Sequence, residues 1–479
     1  MLKLSNLIGG EFTPALGGEV LENINPANQE VISTIPRSNG PDVDRAVDAA
    51  GAAFKLWRVT DVRERADFLE AIGDEINIRL DEFAEAESRD TGKPISLAST
   101  LDIPRAISNF RFFAGAIRQE KGEAFHGQAG LNYTIRKPLG VVGLITPWNL
   151  PLYLMTWKVA PALAMGNAIV AKPSEMTPTT ATLLGEVINK LSPTPGLYNL
   201  IHGLGNEVGE PLVNHDGIAA ISFTGGTKTG GRVAACAAPK FKKLSLELGG
   251  KNPTVVFGDA DFETAVDGAV RAGFANQGQV CLCGSRLLID ESIWDNFVDA
   301  FVAKVKAMKV GDPGDWETQV GALISLEHRD KVSRFVEKAR ALGGTVLVGG
   351  KSPRLEAPHK DGAFYEPTVI VGLDHGCEVV QQEIFGPVVT LHPFKGEAEA
   401  LALANDVQYG LSASIWTRDL ARAHRFAQSL EAGMVWINTW LMRDLRTPFG
   451  GVKESGMGRE GGAYSLSFYS EPQNICVNV

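Results

Sequence analysis

The feature that most constrains this fold is an alternation of short apolar runs with helical segments, which begins at Pro138. Runs such as "GVVGLIT", "NAIVAKP", "GLYNLIHG", "IAAISFTGG" and "NPTVVFGD" read as strands, and helices such as residues 179–191 separate them. Alternation of this kind is typical of βαβ units around a parallel sheet. A second series begins near Lys251 and includes "SRLLIDES", "GTVLVGG", "PTVIVGL" and "SASIWT". The sequence therefore predicts two α/β domains that meet close to "LELGGKNP".

Amphipathic helices are predicted on both sides of this region. Apolar residues from Val43 to Phe54 recur at positions i, i+3, i+4 and i+7, the period of a helix with one buried face. Further helices are predicted at residues 63–79, 81–90, 293–308 and 328–342.

Composition restricts the classes of partner. The chain has 46 Lys and Arg against 56 Asp and Glu, a net charge of −10 and a sequence pI of about 5.4. This balance disfavours nucleic acid and anionic membrane as partners, and an acidic substrate would need a locally basic pocket. The first residues, "MLKLSNLIGGEF", contain no long apolar core. The most apolar region, residues 138–171, is interrupted by polar residues and prolines, so we expect a cytoplasmic protein without a membrane span.

Two of the five cysteines lie one residue apart in "FANQGQVCLCGSR", and five is an odd and sparse number that is typical of reduced thiols. A disulfide between Cys281 and Cys283 would be strained. The other cysteines do not provide zinc-ligand spacing, so no metal site is predicted. A nucleophile and an inert buried thiol remain open for this stretch. The small neighbours Gly278, Gly284 and Ser285 favour the nucleophile, because they leave room for a ligand.

Two polar residues stand in otherwise apolar surroundings. Glu247, in "LSLELGGKNP", is either a solvent-facing strand residue or a carboxylate of raised pKa that acts as a general base. Asn149, in the proline-bounded loop "ITPWNLP", either satisfies a turn or donates its amide to a developing oxyanion.

Glycine-rich and charged residues follow several predicted strands. Lys172 and Glu175 of "AKPSE" come after a strand, where parallel sheets bind the sugar or phosphate of a nucleotide. "FTGGTKTGG" offers backbone N–H groups to a pyrophosphate. The glycines of "HGLGNEVG" are spaced one residue too far apart for a dinucleotide fingerprint.

Together these segments resemble the aldehyde dehydrogenase superfamily over nearly the whole chain. The motifs "PWNLP", "KPSE", "FTGGT", "LELGGKNP", "GQVC", "EIFGPV" and "PFGGVKESGMGREGG" occur in the order typical of that family. The resemblance identifies Cys281 as the catalytic nucleophile, Glu247 as the general base and Asn149 as the oxyanion-hole residue. It implies a thiohemiacetal and then a thioester on Cys281, with Cys283 as a packing neighbour.

The same resemblance implies NAD as the cofactor. Lys172 and Glu175 fall on residues that hold the adenosine ribose, and Glu383 and Phe385 fall on those that hold the nicotinamide ribose and ring. Gly226 stands where related enzymes often have serine. Further cofactor contacts are expected from Ile145, Thr146, Pro147, Trp148, Ser174, Gly205, Gly209, Phe223, Thr224, Gly225, Gly230 and Leu248.

The substrate is predicted to be a carboxylate-bearing aldehyde. Arg443 and Arg446 lie in the loop before the glycine motif, and Arg105 lies in a helical segment; in an acidic protein they suggest a carboxylate clamp. Alternatively, a loop arginine pairs with Asp444 or with a partner subunit. Trp157 is also expected to contact the substrate.

The segments that contain Arg105, Arg443 and Arg446 resemble those of the dehydrogenases of 2-aminomuconate and 2-hydroxymuconate 6-semialdehyde. An enzyme for neutral or cationic aldehydes, of the betaine aldehyde type, and a non-catalytic NAD-binding relative are the alternatives.

The resemblance also implies the domain layout: two Rossmann-like parallel-sheet domains with a small β extension for oligomerisation. We expect an NAD-binding domain at residues 1–118 and 139–249 and a catalytic domain at 250–450. Residues 119–138 and 451–479 are expected to form oligomerisation strands and the C-terminal segment. "LNYTIRKP" and "NICVNV" are the candidate strands, so a homodimer or homotetramer is expected.

Overall fold

The structure, a computed structural model, describes residues 1–127 and 130–478. Its strands are β1 (Leu2–Lys3), β2 (Asn6–Ile8), β3 (Glu11–Thr13), β4 (Val20–Ile24), β5 (Val31–Pro36), β6 (Ala124–Gly127), β7 (Gly130–Pro138), β8 (Val141–Ile145), β9 (Ala168–Lys172), β10 (Tyr198–Leu200), β11 (Ile218–Thr224), β12 (Lys243–Glu247), β13 (Pro253–Val256), β14 (Arg286–Asp290), β15 (Thr345–Val348), β16 (Thr368–Val371), β17 (Val388–Phe394), β18 (Tyr409–Gly410), β19 (Ser412–Trp416), β20 (Met434–Ile437), β21 (Val452–Lys453), β22 (Gly456–Met457) and β23 (Ser470–Val477).

Helices cover the sheets, and those predicted from the sequence lie close to the expected bounds. They are α1 (Gly40–Trp57), α2 (Val62–Ile78), α3 (Leu80–Thr91), α4 (Ile95–Leu97), α5 (Ile103–Ile117), α6 (Pro151–Ala164), α7 (Thr179–Leu191), α8 (Glu210–Asn214), α9 (Thr227–Ala237), α10 (Phe262–Phe274), α11 (Trp294–Lys306), α12 (Leu326–Ala341), α13 (Glu378–Gln381), α14 (Gly396–Asn405), α15 (Leu420–Ser429) and α16 (Gly462–Phe468). A π-helical turn, Ala98–Asp102, leads into α5.

The first large sheet has eight strands in the order β22-β12-β11-β8-β9-β10-β2-β3. Its central strands β12, β11, β8, β9 and β10 run parallel, and β2 and β22 pair with them antiparallel. The register places Lys172 beside Ile145, and Glu247 beside Thr224, at the carboxyl edge of the sheet. The chain continues from β8 to β9 and β10 on one side and then returns to β11 on the other. Ligands bind in open α/β sheets at such a change of direction.

The second large sheet has seven strands in the order β15-β16-β17-β14-β13-β19-β20, all parallel except the β15–β16 pair. The two parallel sheets confirm the predicted fold class. The chain passes from the first sheet to the second between Glu247 and Pro253.

A separate three-stranded sheet, in the order β23-β7-β6, lies outside the two large ones. β7 and β23 pair antiparallel within one chain, from Leu131 opposite Val477 to Pro138 opposite Ser470. Residues 128, 129 and 479 of the segments predicted for oligomerisation lie outside the described residues. The C-terminal segment also returns β22 to the edge of the first sheet, beside Glu247.

Within residues 1–127 and 130–478, no helix combines the length and the apolar character that crossing a membrane requires.

Candidate active site

Cys281 lies in the loop that follows α10, and packing fixes the main chain on both sides of it. Its neighbours Val280 and Leu282 are buried in an apolar cluster. Asn252 donates from Nδ2 to the carbonyl oxygens of Cys281 at 2.7 Å and Cys283 at 2.9 Å. The Cys281 side chain remains partly exposed and lines a cavity, whereas Cys283 is buried.

The backbone just before this cysteine is left-handed at two residues that are not glycine. Asn276 has φ +50° and Gln277 has φ +56°, a region that costs energy unless other contacts hold it. Asn276 donates from Nδ2 to the Asn149 carbonyl oxygen at 3.1 Å, and Gln277 donates from Nε2 to the Ala322 carbonyl oxygen at 3.1 Å. These side-chain contacts stabilise the loop in this conformation.

Asn149 reaches the cysteine loop from the first sheet. It follows β8, between Pro147 and Pro151, and is 4% exposed. Its Nδ2 donates to the Gln279 carbonyl oxygen at 2.9 Å. This contact uses one of the two amide hydrogens, and the second is available to a ligand beside Cys281.

Glu247 ends β12 and is 4% exposed. Neither of its carboxylate oxygens has a hydrogen-bond partner. Burial raises the pKa of this carboxyl well above its usual range, and the charge of Glu460 adds to the effect. Gly450 packs against it so closely that a Cβ there would lie 2.8 Å from Oε1, with φ at +145°. A buried carboxylate without a partner is an expensive feature unless it acts on a ligand or a water molecule.

These three side chains line one cavity of about 290 Å³. Burial raises the pKa of the Cys281 thiol well above its usual value, and the charges of Glu383 and Glu247 add to this, while Arg443 opposes it. The cavity also includes Pro147, Trp148, Leu154, Thr224, Gly225, Gly226, Leu248, Gly249, His328, Lys331, Glu383 and Phe385.

A second cavity, of about 280 Å³, opens at the carboxyl ends of β8, β9 and β11. Lys172 lies in its wall and is almost fully buried, and its Nζ donates to the Pro173 carbonyl oxygen at 2.7 Å and contacts Glu175 at 3.4 Å. Burial lowers the pKa of Lys172, and Glu175 opposes that shift. Of the predicted cofactor residues, Ile145, Gly205, Gly209 and Phe223 share this cavity.

The remaining predicted cofactor residues support the walls. The Thr146 amide donates to the Lys172 carbonyl oxygen at 3.1 Å. Ser174 accepts from the Met176 amide at 3.3 Å. A Cβ on Gly230 would lie 2.4 Å from a Leu248 methyl group, so only glycine allows the first turn of α9 to approach Leu248 this closely.

Glu383 and Phe385 form the side of the 290 Å³ cavity that faces α12. Glu383 accepts from the Gly250 amide at 3.0 Å, and burial raises its pKa to about 7. Phe385 has φ +61° and packs edge-on against Trp148 with ring centroids 5.3 Å apart. His328 contacts the Phe385 carbonyl oxygen through Nε2 at 2.6 Å, and burial lowers the pKa of His328 to about 4.

Sequence reasoning missed His328 and Lys331 as site residues. Both lie on the first turns of α12, one helical turn apart, and both line the cavity. The i, i+3 spacing of two basic residues at the start of a helix was the available signal, but it does not show what the helix faces.

Arg443 lies over two aromatic rings beside the active site. Its guanidinium carbon is 4.2 Å from the centroid of Phe449 and 5.4 Å from that of Trp157. One terminal nitrogen of Arg443 and the indole nitrogen of Trp157 are buried without a hydrogen-bond partner. The charge of Arg443 lowers the pKa of both Cys281 and Glu247, against the larger effect of burial.

The other two predicted arginines, Arg105 and Arg446, differ from Arg443 in their surroundings. Arg105, on α5, is half-buried and lies 5.9 Å from the ring centroid of Tyr153, which packs against the cluster that contains Cys281. Arg446 points into solvent with its side chain 80% exposed, and its guanidinium binds Asp444 at 2.5 Å. Arg443 therefore lies over Phe449 of the apolar cluster against which Cys281 packs, whereas Arg446 is bound by Asp444 in solvent.

No group of three or more His, Cys, Asp or Glu side chains is arranged to hold a metal ion in the part of the chain that the structure describes.

The chain combines two largely parallel sheets, a cavity at a change of strand direction, and a cysteine that lines one cavity with a buried carboxylate and an amide. They are the features of a dehydrogenase that works through a covalent enzyme intermediate.

The comparisons with known proteins give the family. The sequence profile of the aldehyde dehydrogenase family matches residues 12–475, and the chain belongs to that family. It is 48% identical over 486 residues to a 2-hydroxymuconic semialdehyde dehydrogenase of Pseudomonas sp. (strain CF600), with 100% of both chains covered. It is 47% identical to a 2-aminomuconic 6-semialdehyde dehydrogenase of Pseudomonas sp., covering 100% of this chain and 99% of the relative. A betaine aldehyde dehydrogenase of Staphylococcus aureus, solved in complex with NAD+, superposes with a TM-score of 0.97 at 40% identity, covering 100% of this chain and 95% of that one.

Proposed function

We propose that this enzyme oxidises an aldehyde to a carboxylic acid with NAD, through a thioester on Cys281. The observation that supports this most is the shared cavity of Cys281, Asn149 and Glu247, in which Glu247 has no protein partner. Cys281 and Glu247 have complementary roles, because formation of the acyl enzyme needs a nucleophile and its hydrolysis needs a base of raised pKa.

The first chemical step uses Cys281 and Asn149. The Cys281 thiolate attacks the aldehyde carbon and forms a thiohemiacetal. The negative charge develops on the former carbonyl oxygen, where the free hydrogen of Asn149 Nδ2 and the Cys281 backbone N–H donate to it. Removal of one such donor typically costs about 10²–10³ in rate.

The second step uses Glu247. The carboxylate takes a proton from a water molecule, whose oxygen attacks the thioester carbon. The carbon–sulfur bond then breaks, the acid is released, and the proton passes from Glu247 to the Cys281 sulfur. The buried, unpartnered oxygens of Glu247 suit this role, since no protein donor competes with the water.

The residues present fit NAD. A Cβ on Gly226 or Gly205 would meet no protein atom within 4 Å, and both glycines line the cavities, so the main chain there faces open space. The Thr224 hydroxyl, in the wall of the same cavity as Gly226, is buried without a partner. We propose that Lys172 and Glu175 hold the adenosine ribose, and that Glu383 and Phe385 hold the nicotinamide end. NAD, when bound, supplies the hydride acceptor for the thiohemiacetal.

NAD is expected to be preferred over NADP. A 2′-phosphate on the adenosine ribose would meet the Glu175 carboxylate with like charge, and Lys172, which is 3.4 Å from Glu175, offsets that repulsion only in part. Steady-state kinetics with both cofactors test this, and Glu175→Gln should narrow the difference between them. Equal catalytic efficiencies in the unaltered enzyme would contradict the assignment of Glu175.

We propose that the substrate is an aldehyde with a carboxylate at its far end, such as 2-aminomuconate or 2-hydroxymuconate 6-semialdehyde. Two relatives that share close to half of their residues with this chain carry these names. Arg443 supplies the cationic group that a carboxylate needs, and its buried terminal nitrogen has no other partner. NADH absorbance with a panel of dicarboxylic, neutral and cationic aldehydes tests the proposal; activity on betaine aldehyde alone would overturn it.

Arg443→Ala is expected to lower the catalytic efficiency for a carboxylate-bearing aldehyde by about one to two orders of magnitude. A charge-assisted hydrogen bond from a partly buried arginine is worth about 1.5–3 kcal/mol. A neutral aldehyde of similar size should lose far less. Arg443→Lys should recover only part of the efficiency that Arg443→Ala loses, because lysine cannot form the two parallel hydrogen bonds that a guanidinium makes to a carboxylate.

Arg446→Ala is the matched control, since it removes the same charge from the same loop but from a side chain that binds Asp444 in solvent. It should leave both substrates nearly unaffected. Equal losses on charged and neutral aldehydes in Arg443→Ala would show that Arg443 has a structural role.

If Arg105 binds the same carboxylate, the losses in catalytic efficiency from Arg105→Ala and Arg443→Ala should be non-additive.

We further propose that the β6–β7–β23 sheet joins subunits into a homodimer or homotetramer. Its exposed apolar residues, Phe125 at 58% and Val477 at 42%, would be covered in such an assembly.

A further inference from the structure

A buried ion cluster lies directly behind Asn149. Lys93 follows α3 and has no exposed surface. Its Nζ contacts Asp102 Oδ2 at 2.5 Å and Glu87 Oε1 at 3.4 Å, and it donates to the Asn149 carbonyl oxygen at 3.0 Å. Lys93, Glu87 and Asp102, called the Lys93 cluster below, come from three segments of the N-terminal region.

The cluster holds the backbone that directly follows the Asn149 side chain. Pro147 and Pro151 flank this residue, and neither has an N–H with which to fix the loop. Lys93 holds the Asn149 carbonyl, and Glu87 Oε2 accepts from the Leu152 amide, in the first turn of α6, at 3.4 Å. The main chain from the Asn149 carbonyl to the Leu152 amide is therefore fixed by the same buried charges.

The two carboxyls of the Lys93 cluster are placed by local structure. Asp102 ends the π-helical turn Ala98–Asp102, and such turns are frequent at functional sites. Its second oxygen, Oδ1, has no partner. Glu87 also accepts from the Thr180 hydroxyl at 3.0 Å.

The charges in the cluster do not balance if both acids are ionised. Burial raises the pKa of Glu87 to about 7 and also raises that of Asp102. Burial acts to lower the pKa of Lys93, yet the two carboxyls raise it overall, so Lys93 remains charged. Apolar side chains of similar volume often replace a buried ion cluster without loss of stability. Stability alone therefore does not account for charges aimed at one loop carbonyl.

We propose that Lys93 is a positioning residue for the oxyanion hole, which it serves by fixing the Asn149 peptide so that Nδ2 faces the thiohemiacetal oxygen beside Cys281. This rests on the role proposed above for Asn149. The Asn149 carbonyl is held by Lys93 and Asn276, and Nδ2 is held by Gln279. Loss of Lys93 frees the peptide to rotate, and a displacement of about 1 Å in a catalytic group can cost about 10²-fold in rate.

The test is a double-mutant cycle of Lys93→Met and Asn149→Ala, read as the single-turnover rate of NADH formation with saturating NAD and aldehyde. Lys93→Met should slow this rate about 10- to 100-fold in the unaltered background. It should slow it less than about twofold in the Asn149→Ala background, because the group it positions is already gone. The dissociation constant for NAD should change less than about twofold in both backgrounds.

If Lys93→Met does not fold, the matched variants Asp102→Asn and Asp90→Asn test the positioning role instead. Asp90 is an equally buried carboxyl on α3, but it accepts from the Thr179 amide at 2.8 Å and caps α7. Asp102→Asn should slow hydride transfer only when Asn149 is present, and Asp90→Asn should lower the melting temperature without changing that rate.

The outcomes separate this inference from the proposed function. If Asn149→Ala is slow and Lys93→Met transfers hydride at the normal rate, the positioning role is wrong and the oxyanion hole stands. An equal loss from Lys93→Met in both backgrounds also overturns it, since the effect would then bypass Asn149. An Asn149→Ala enzyme with full rate overturns the role of Asn149 and the positioning role together.

Discussion

Cys281→Ala is expected to reduce aldehyde oxidation by at least ~10⁴-fold, because removal of a catalytic nucleophile eliminates the covalent route and leaves only residual binding effects. The side chain lines the cavity that also contains Asn149 and Glu247. No other described cysteine lines that cavity, so none can replace the thiol. The measurement is NADH formation with enzyme in excess of substrate, which detects even a single slow turnover.

Cofactor binding should survive this substitution, since the residues proposed to hold NAD are left intact. Cys283→Ala is the control: Cys283 is 6% exposed and its Sγ is 3.9 Å from the Ala275 carbonyl oxygen, so the variant should lose some stability and keep most of the activity. A Cys281→Ala enzyme that still oxidises aldehydes at a comparable rate would show that the nucleophile lies elsewhere.

The fold was largely predictable because both large sheets are built from short buried strands whose composition differs from that of the helices around them. Runs such as Ile218–Thr224 are apolar and β-branched, which identifies buried parallel strands. Val388–Phe394 was not among the predicted strands although it lies between β16 and β14. It contains His392 and Pro393, and proline normally argues against an inner strand.

The site was predictable only where the chemistry is carried by motifs. Arg443 and Arg446 are three residues apart in a loop, and a loop has no period that shows which side chain turns inward. The difference arises from tertiary contacts: Phe449 and Trp157 cover Arg443, while Asp444 binds Arg446 in solvent. The sequence gives no signal for Lys93, because its contact with Asn149 joins residues far apart in the chain.

Glu247→Gln is expected to separate the two halves of the reaction. Hydride transfer requires only Cys281 and the oxyanion hole, so the variant should release a burst of about one NADH per active site. Hydrolysis of the thioester should then be slow, with a steady-state rate lower by about 10²–10⁴-fold, the usual contribution of a general base. Stopped-flow absorbance of NADH measures both phases, and trapped acyl-enzyme can be detected by mass spectrometry after acid quench.

The rate of thioester hydrolysis is expected to depend on pH through the protonation of Glu247. Glu247 acts as a base only when it is deprotonated, and burial together with the charge of Glu460 raises its pKa well above the usual range. The rate of hydrolysis should therefore rise as the pH increases through this raised pKa. In Glu247→Gln the slow phase should lose this rise, because glutamine does not titrate, while the burst phase retains the pH dependence of the Cys281 thiol. A variant that hydrolyses the thioester at the full rate, with an unchanged pH profile, would rule out Glu247 as the base and leave its buried, unpartnered oxygens without a role in the reaction.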